Sequence, residues 1–407
     1  MKRAVPPPRD PAPAAGPTPV GGGLLLLLVV LTALGPTAMQ IFIPALPAVR
    51  DAFASSTAVV QLTFSLSTLA MAASTLVAGS LADRFGRRPV IIGGLGLFLA
   101  GTAIAFAAGS IPELVAGRTL QAAGGATGFV LTRTIVRDLF GREDTARIIA
   151  YLTMGMVVAP MFAPALGGLL TDLYGWRSVF AIGGGAGVLV LLSVLWRLPE
   201  THRFDRGVEE PWTLLASMGR LLRIRAFQGY ALTGAFSMSL FFSFLGGAPF
   251  VTVEVLGRPA SEYGLVFILV SVAFILGNFL AARLSARIGL DRMIRIGSAL
   301  VLLFAAVSLP LMAYAGWNLA TLFAPMAAIA FAQGTALPNV QAGAVSVDPR
   351  AAGAASGLAS FLQMMMAAVA VQIVGSIQNG TPYPTLLAML VCAIGMMAAS
   401  LWTRRGG

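Results

Sequence analysis

The sequence predicts an all-α integral membrane protein in which twelve crossing helices form two pseudo-symmetric bundles of six. Three observations predict it. The 407 residues are 57% hydrophobic and only 11% charged, with a mean hydropathy of +0.85. Soluble domains average about 25% charged residues, so this chain lacks the polar surface to solvate a globule of its length, and its solvent is a bilayer. Twelve apolar runs approach or exceed the roughly 20 residues needed to cross the hydrocarbon layer. Finally, the basic residues fall densely in every second loop, as an even number of crossings with a charge bias requires.

The runs lie at about 22–49, 57–82, 89–109, 112–136, 145–171, 176–196, 227–253, 262–284, 291–313, 316–346, 351–378 and 383–403. Each is read as a helix, because a lone segment in lipid must satisfy its own backbone hydrogen bonds. Residues 1–20 are rich in Pro and Ala, lack apolar periodicity and are read as a disordered tail. The first run continues through "QIFIPALPAV" with no convincing cleavage site, so it is an uncleaved span rather than a signal core. Residues 21–197 then form the first bundle, 198–226 a linker and 227–403 the second bundle.

With twelve spans both termini share a side. That side receives 23 of the 27 Lys and Arg residues. The other receives Arg50, Arg177 and Arg258, and Arg118 stays inside a span. Basic residues concentrate in cytoplasmic loops, so both termini and the linker are placed in the cytoplasm. The end of the linker, "PWTLLASMGRLLRIR", has apolar residues at helical spacing facing arginines and suits a short helix on the membrane surface. His202 lies in the linker and reads as a solvated side chain.

The halves echo each other. "LADRFG" (81–86) separates the second and third spans, and "LSARIG" (284–289) separates the eighth and ninth, 203 residues later. Six-helix halves related as repeats are an architecture of secondary transporters, with the substrate site near mid-membrane between them.

Other functions are excluded by count. The net charge of +11 is spread singly between apolar runs without a basic stripe, which argues against nucleic acid. One histidine and one cysteine, Cys392, cannot build a Cys/His zinc site or an internal disulfide. No phosphate-binding glycine loop is present, and no acid pair lies inside the spans, so an enzyme is not expected. No cofactor is expected. The partners are membrane lipid and a small-molecule substrate, and the protein is expected to be a monomer.

Within the spans, Arg118 is the one deeply placed basic residue. Its insertion costs roughly 2.5–3.5 kcal/mol, so its helical face, which continues to Gln121, Ala122 and Gly125, should point into the bundle. Pro36, Gln40, Pro44 and Pro47 share one face of the first span, where prolines kink a cavity-lining helix. Pro160, Pro164, Gly167 and Gly168 in the fifth span, and Gly353 and Gly357 in the eleventh, mark hinges or close-packing seams. Soft and aromatic residues, "SMSLFFSF" (237–244) and "MMM" (364–366), suit an apolar, loosely specified substrate if they face the cavity.

The turn "GSLADRFGRRPVI" resembles the signature loop between spans two and three of the major facilitator superfamily, with Gly79, Asp83, Arg84, Gly86, Arg87 and Arg88 in pattern. The resemblance implies that Asp83 pairs with Arg87 and faces the cytoplasmic start of span eleven, latching the halves on the inside while the outside is open. "IPALPAV" (43–49), "RTLQAAGGA" (118–126), "RTIVRDLF" (133–140), "APMFAPALGG" (159–168), "APFVTVEVLG" (248–257) and "AAGAASGLASFLQ" (351–363) resemble the bicyclomycin and chloramphenicol resistance branch of the drug–proton antiporters. That branch implies efflux of small amphipathic compounds from a bacterial inner membrane, driven by the proton gradient. In it, Arg118 is the proton-handling or structural arginine of span four, and backbone carbonyls alone would satisfy the structural role. The chain departs from the branch where an acid is common, near Gln40. No Asp or Glu lies deep in a span, which leaves Glu113 and Glu254, near the outer ends, as fallback proton sites and keeps a proton-independent or symport carrier open.

Overall fold

The computed structural model describes residues 22–140, 142–201 and 217–402. The expectations for the tail at 1–20, for His202 and for most of the linker lie outside the described residues. Twelve long helices follow one another: α1 (Gly22–Ala52), α2 (Thr57–Phe85), α3 (Arg87–Ala107), α4 (Ile111–Leu139), α5 (Arg142–Tyr174), α6 (Ser178–Arg197), α7 (Arg225–Val255), α8 (Ala260–Ile288), α9 (Leu290–Tyr314), α10 (Leu319–Ser346), α11 (Ala352–Ile377) and α12 (Tyr383–Trp402). Each corresponds to one expected span. Among the described residues there is no strand.

Local chemistry sets the ends. Ser56 caps α2 by accepting from the Val59 amide at 3.4 Å. Asn318 and Thr321 form a reciprocal capping box at the start of α10, at 3.0 and 3.1 Å. The prolines of α1 interrupt it: Ile43–Ala45 tightens to a 3-10 turn around Pro44, and Pro47 opens the final helical segment. The "LADRFG"/"LSARIG" echo holds in three dimensions. Gly86 (φ 96°) ends α2 and starts α3, and Gly289 (φ 89°) ends α8 and starts α9. A left-handed backbone of this kind is open to glycine and costly for other residues, so one residue suffices for each reversal.

Eleven of these helices are apolar enough to cross a bilayer. The exception is α4, which carries Arg118, Gln121 and several glycines. It is tolerated because α1, α2 and α3 pack around it. The approach to α3 is very close: a Cβ on Gly117 would lie 2.8 Å from the Gly101 carbonyl oxygen.

The packing repeats between halves. In the first, α2 and α3 pack on α4, α1 on α5 and α3 on α6. In the second, α8 and α9 pack on α10, α7 on α11 and α9 on α12. The halves meet through the matched pairs α2–α11 and α5–α8. Both loops and helix ends divide between an arginine-rich face, which holds the Gly86 and Gly289 turns, and an arginine-poor face, which holds Arg50, Arg177 and Arg258.

The buried apolar side chains form three clusters. The largest spans both halves toward the arginine-poor face, from Phe42, Phe64 and Phe180 to Phe244, Phe267 and Phe323. Toward the arginine-rich face it gives way to two separate clusters, one confined to the first half (Leu28, Phe98, Ile135) and one to the second (Phe227, Ile294, Leu358). The halves therefore share a buried apolar core at one end and keep separate apolar cores at the other.

Candidate translocation pathway and its gates

The closed end is held by named contacts between the halves. Arg50, at the end of α1, pairs with Glu254 in the last, π-helical turn of α7 and also binds Asp51 at 2.9 Å. Gln61 of α2 donates to the Gly246 carbonyl of α7 at 2.5 Å. Gln372 of α11 donates to the Ala58 carbonyl at 2.9 Å and accepts from Ser65 at 3.0 Å. Asp172, at the end of α5, accepts from the amides of Ala260 (3.2 Å) and Ser261 (2.8 Å), satisfying two donors that the start of α8 leaves free. Phe64 stacks on Phe242 across the seam, with centroids 5.4 Å apart and planes 6° from parallel.

Small residues make this closure possible. Gly168 lies against the Ala260 carbonyl and Gly264 against the Pro164 carbonyl, while Gly167 rests on the Ile41 carbonyl and seats α5 on α1. Pro160 and Pro164 both sit inside α5. Gly353 and Gly357 of α11 make no close helix contact in this conformation. The nearest neighbour of a Cβ on Gly357 is Leu76 at 3.9 Å, and Gly353 has nothing within 4 Å.

At the arginine-rich end, Asp83 pairs with Arg87 at 3.3 Å, and Arg87 pairs with Asp138 at 3.0 Å. Asp83 is half exposed, and among the described residues no hydrogen bond joins it to the start of α11. The Glu200 carboxylate caps α3 by accepting from the amides of Arg87 (3.0 Å) and Arg88 (3.1 Å). Arg88 donates to the Leu195 carbonyl at 2.7 Å, and the Arg84 guanidinium stacks over Phe85 at 5.3 Å. Gly79 has no neighbour within 4 Å of its Cβ position.

Arg118 is 1% exposed and points into the core of its own half. It donates to the Ala38 carbonyl (3.1 Å) and to Gln121 Oε1 (2.6 Å), contacts Met39 Sδ at 3.4 Å, and lies 4.5 Å from the Phe42 ring centroid and 5.9 Å from that of Phe180. Gln121 passes the bond on to Thr102 Oγ1 at 2.9 Å. A full positive charge is thus buried among neutral acceptors and ring faces from α1, α3, α4 and α6. Arg118 and Gln121 come together as a network. The two acids do not join it: Glu254 is at the arginine-poor seam, and Glu113 accepts from the Gly109 amide at 2.8 Å beside the start of α4. Gln40 is half-buried, and its Oε1, like the Thr37 hydroxyl one turn earlier, is buried without a hydrogen-bond partner among the described residues.

Sequence reasoning missed Gln61, Gln372, Glu200 and Asp138 as structural partners. The two glutamines had a signal, since an amide inside an apolar run needs a buried partner.

The matches to known proteins agree with this architecture. A model of the Major Facilitator Superfamily matches residues 28–371. The chain is 30% identical to "Multidrug resistance protein D" of Escherichia coli over 93% of its own length and 94% of the relative's. It is 27% identical to the "Bicyclomycin resistance protein homolog" of Haemophilus influenzae over 91% and 93% of the two chains. The fold superposes on a bacterial homolog of the human lysosomal transporter Spinster with a TM-score of 0.72 at 19% identity, covering 94% of this chain and 96% of the other. With a family match over most of its residues and twelve helices in two repeated sets, the chain belongs to the Major Facilitator Superfamily and is a membrane transporter rather than an enzyme.

Proposed function

We propose that the protein exports small amphipathic compounds from a bacterial cell in exchange for protons, acting as a monomer in the inner membrane by alternating access. The carrying observation is the apolar core, which is continuous across the halves at the arginine-poor end and divided in two at the other. Such one-sided closure around a repeat interface is the geometry of an alternating-access carrier held in one of its two openings. By the charge rule the arginine-rich face is cytoplasmic, so both termini are inside and the pathway here opens inward. Efflux of drug-like compounds is supported by the printed names of the relatives, which are resistance proteins. The closed seam ends on the stacked rings of Phe64 and Phe242, with Phe241 and Phe267 adjoining.

One observation favours a second reading, carriage without proton coupling. Every Asp and Glu within α1–α12 lies in an end turn, and Gln40 stands where the drug–proton antiporter branch commonly has an acid. Flux in proteoliposomes separates the readings. Antiport predicts that an imposed pH gradient drives uphill movement of a lipophilic compound and that collapsing it stops the movement. Flux that follows the compound's own gradient, and is unchanged by the pH gradient, would replace antiport with the second reading.

A further inference from the structure

Residues 79–90 read GSLADRFGRRPV, and residues 168–179 read GLLTDLYGWRSV. Gly79 and Gly168, Leu81 and Leu170, Asp83 and Asp172, Gly86 and Gly175, Arg88 and Arg177, and Val90 and Val179 coincide, and Phe85 answers Tyr174. The first segment joins α2 to α3 on the arginine-rich face. The second joins α5 to α6 on the arginine-poor face. One turn has been used twice, pointing in opposite directions, as inverted repeats of three helices within a half would place it.

The structure repeats it as well. Gly175 adopts φ 77°, beside 96° for Gly86. Arg88, at the start of α3, donates to the Leu195 carbonyl near the end of α6 at 2.7 Å. Arg177, just before α6, donates to the Ala108 carbonyl just after α3, also at 2.7 Å. Each arginine therefore ties the start of one of these two helices to the end of the other. What differs is the state of the acids. Asp172 holds two amides at the start of α8, and Gly168 is pressed on the Ala260 carbonyl. Among the described residues Asp83 binds Arg87 alone, and Gly79 has no neighbour within 4 Å of its Cβ position. The pairs α5–α8 and α2–α11 are themselves matched across the halves.

We propose that Asp172 is the partner of Asp83 in a pair of alternating latches. Asp172 clasps the start of α8 while the arginine-poor face is shut, and it lets go as Asp83 takes the start of α11. The inference rests on the alternating access proposed above, but on neither the substrate nor the proton. It gives the second turn a job of its own: two carboxylates of similar strength, each engaged in one state, keep the two states close in free energy. The turns differ at one informative place. Arg87 stands where the other has Trp176, so the released Asp83 keeps a counter-cation and the matching position beside Asp172 supplies none.

The test uses the full chain in lipid nanodiscs with Cys392→Ala. Spin labels go at Leu173→Cys and Leu265→Cys for the arginine-poor end, and at Val77→Cys and Ser356→Cys for the other. Asp172→Asn is expected to raise the ratio of parted to closed distances at the arginine-poor end by on the order of tenfold, from the loss of a charge-assisted cap. Asp83→Asn is expected to shift the ratio the other way, the double variant to return it toward the parent, and Asp172→Glu to keep most of the closure. A ratio for Asp172→Asn within about twofold of the parent, or shifts in the same direction from both single variants, would overturn the proposal. Should Asp172→Asn fail to fold, Gly168→Ala reads the same contact. Its added methyl meets the Ala260 carbonyl only when that face is shut, so an unchanged distribution again overturns it. No flux enters the measurement. Latch shifts in a chain that moves no tested compound would retract the substrate reading and leave the latches standing.

Discussion

Arg118→Met is expected to fold at least as well as the parent and to lose gradient-driven transport. Among the described residues the buried guanidinium pairs with no carboxylate and is held by a carbonyl, an amide oxygen, a thioether and two aromatic rings. A charge so placed carries a desolvation penalty of several kcal/mol, and an apolar side chain of similar volume is neutral or about 1–4 kcal/mol better. Stability alone therefore does not account for an arginine here, and we assign the charge a part in coupling. Gradient-driven flux should fall by about 5- to 150-fold, the usual span of a coupling free energy between sites. Arg118→Ala should do worse, because it also leaves a void among Phe42, Gln121 and Phe180, and it should lower stability by about 2–5 kcal/mol. Thermal unfolding and proteoliposome flux of both variants check the split. Full gradient-driven transport by Arg118→Met would reduce Arg118 to a structural tie between α1, α3, α4 and α6.

Gln40→Asp is the second large effect, and its sign is opposite. Gln40 sits on the proline face of α1, half-buried, with Oε1 unpartnered. An aspartate there would be neutral with its proton and charged without it, and the two forms differ strongly in the cost of burial at this depth. Proton binding would then bias the two openings of the carrier, which is what coupling requires. The flux ratio with and without a pH gradient should rise by about 5- to 150-fold in Gln40→Asp. An unchanged ratio would mean that an acid on this face of α1 is not where protons enter the cycle.

Much of the fold was legible. Runs of apolar residues located all twelve helices, because the bilayer allows no other way to cross. The shared Leu, Arg and Gly of "LADRFG" and "LSARIG" marked the repeat, and both glycines adopt the same backbone conformation. The Asp83–Arg87 pair was legible from the resemblance of the turn to the family's signature loop. The contacts across the seam were not. Arg50 meets Glu254 and Gln372 meets Ala58 at separations of 204 and 314 residues, and nothing local in the sequence encodes such partners. Glu200 was hidden because a loop carboxylate reads as solvated until the start of α3 is seen beneath it. The face of α4 carrying Arg118 was expected to point inward, and it does. Only the packing shows that inward means the core of its own half, through Phe180 of α6. Nor can one sequence say which end is shut, since both openings of a carrier share it.

Alternating access requires the arginine-poor seam to part in every cycle, and a reversible lock across it reads that parting. A Cβ placed on Gly375 would lie 2.9 Å from Gln61 Cβ, close enough for a small adjustment to bring the pair to disulfide geometry. In a Cys392→Ala background, Gln61→Cys with Gly375→Cys should transport when reduced, stop when oxidised and recover on reduction. Undiminished transport with the disulfide fully formed would contradict the account.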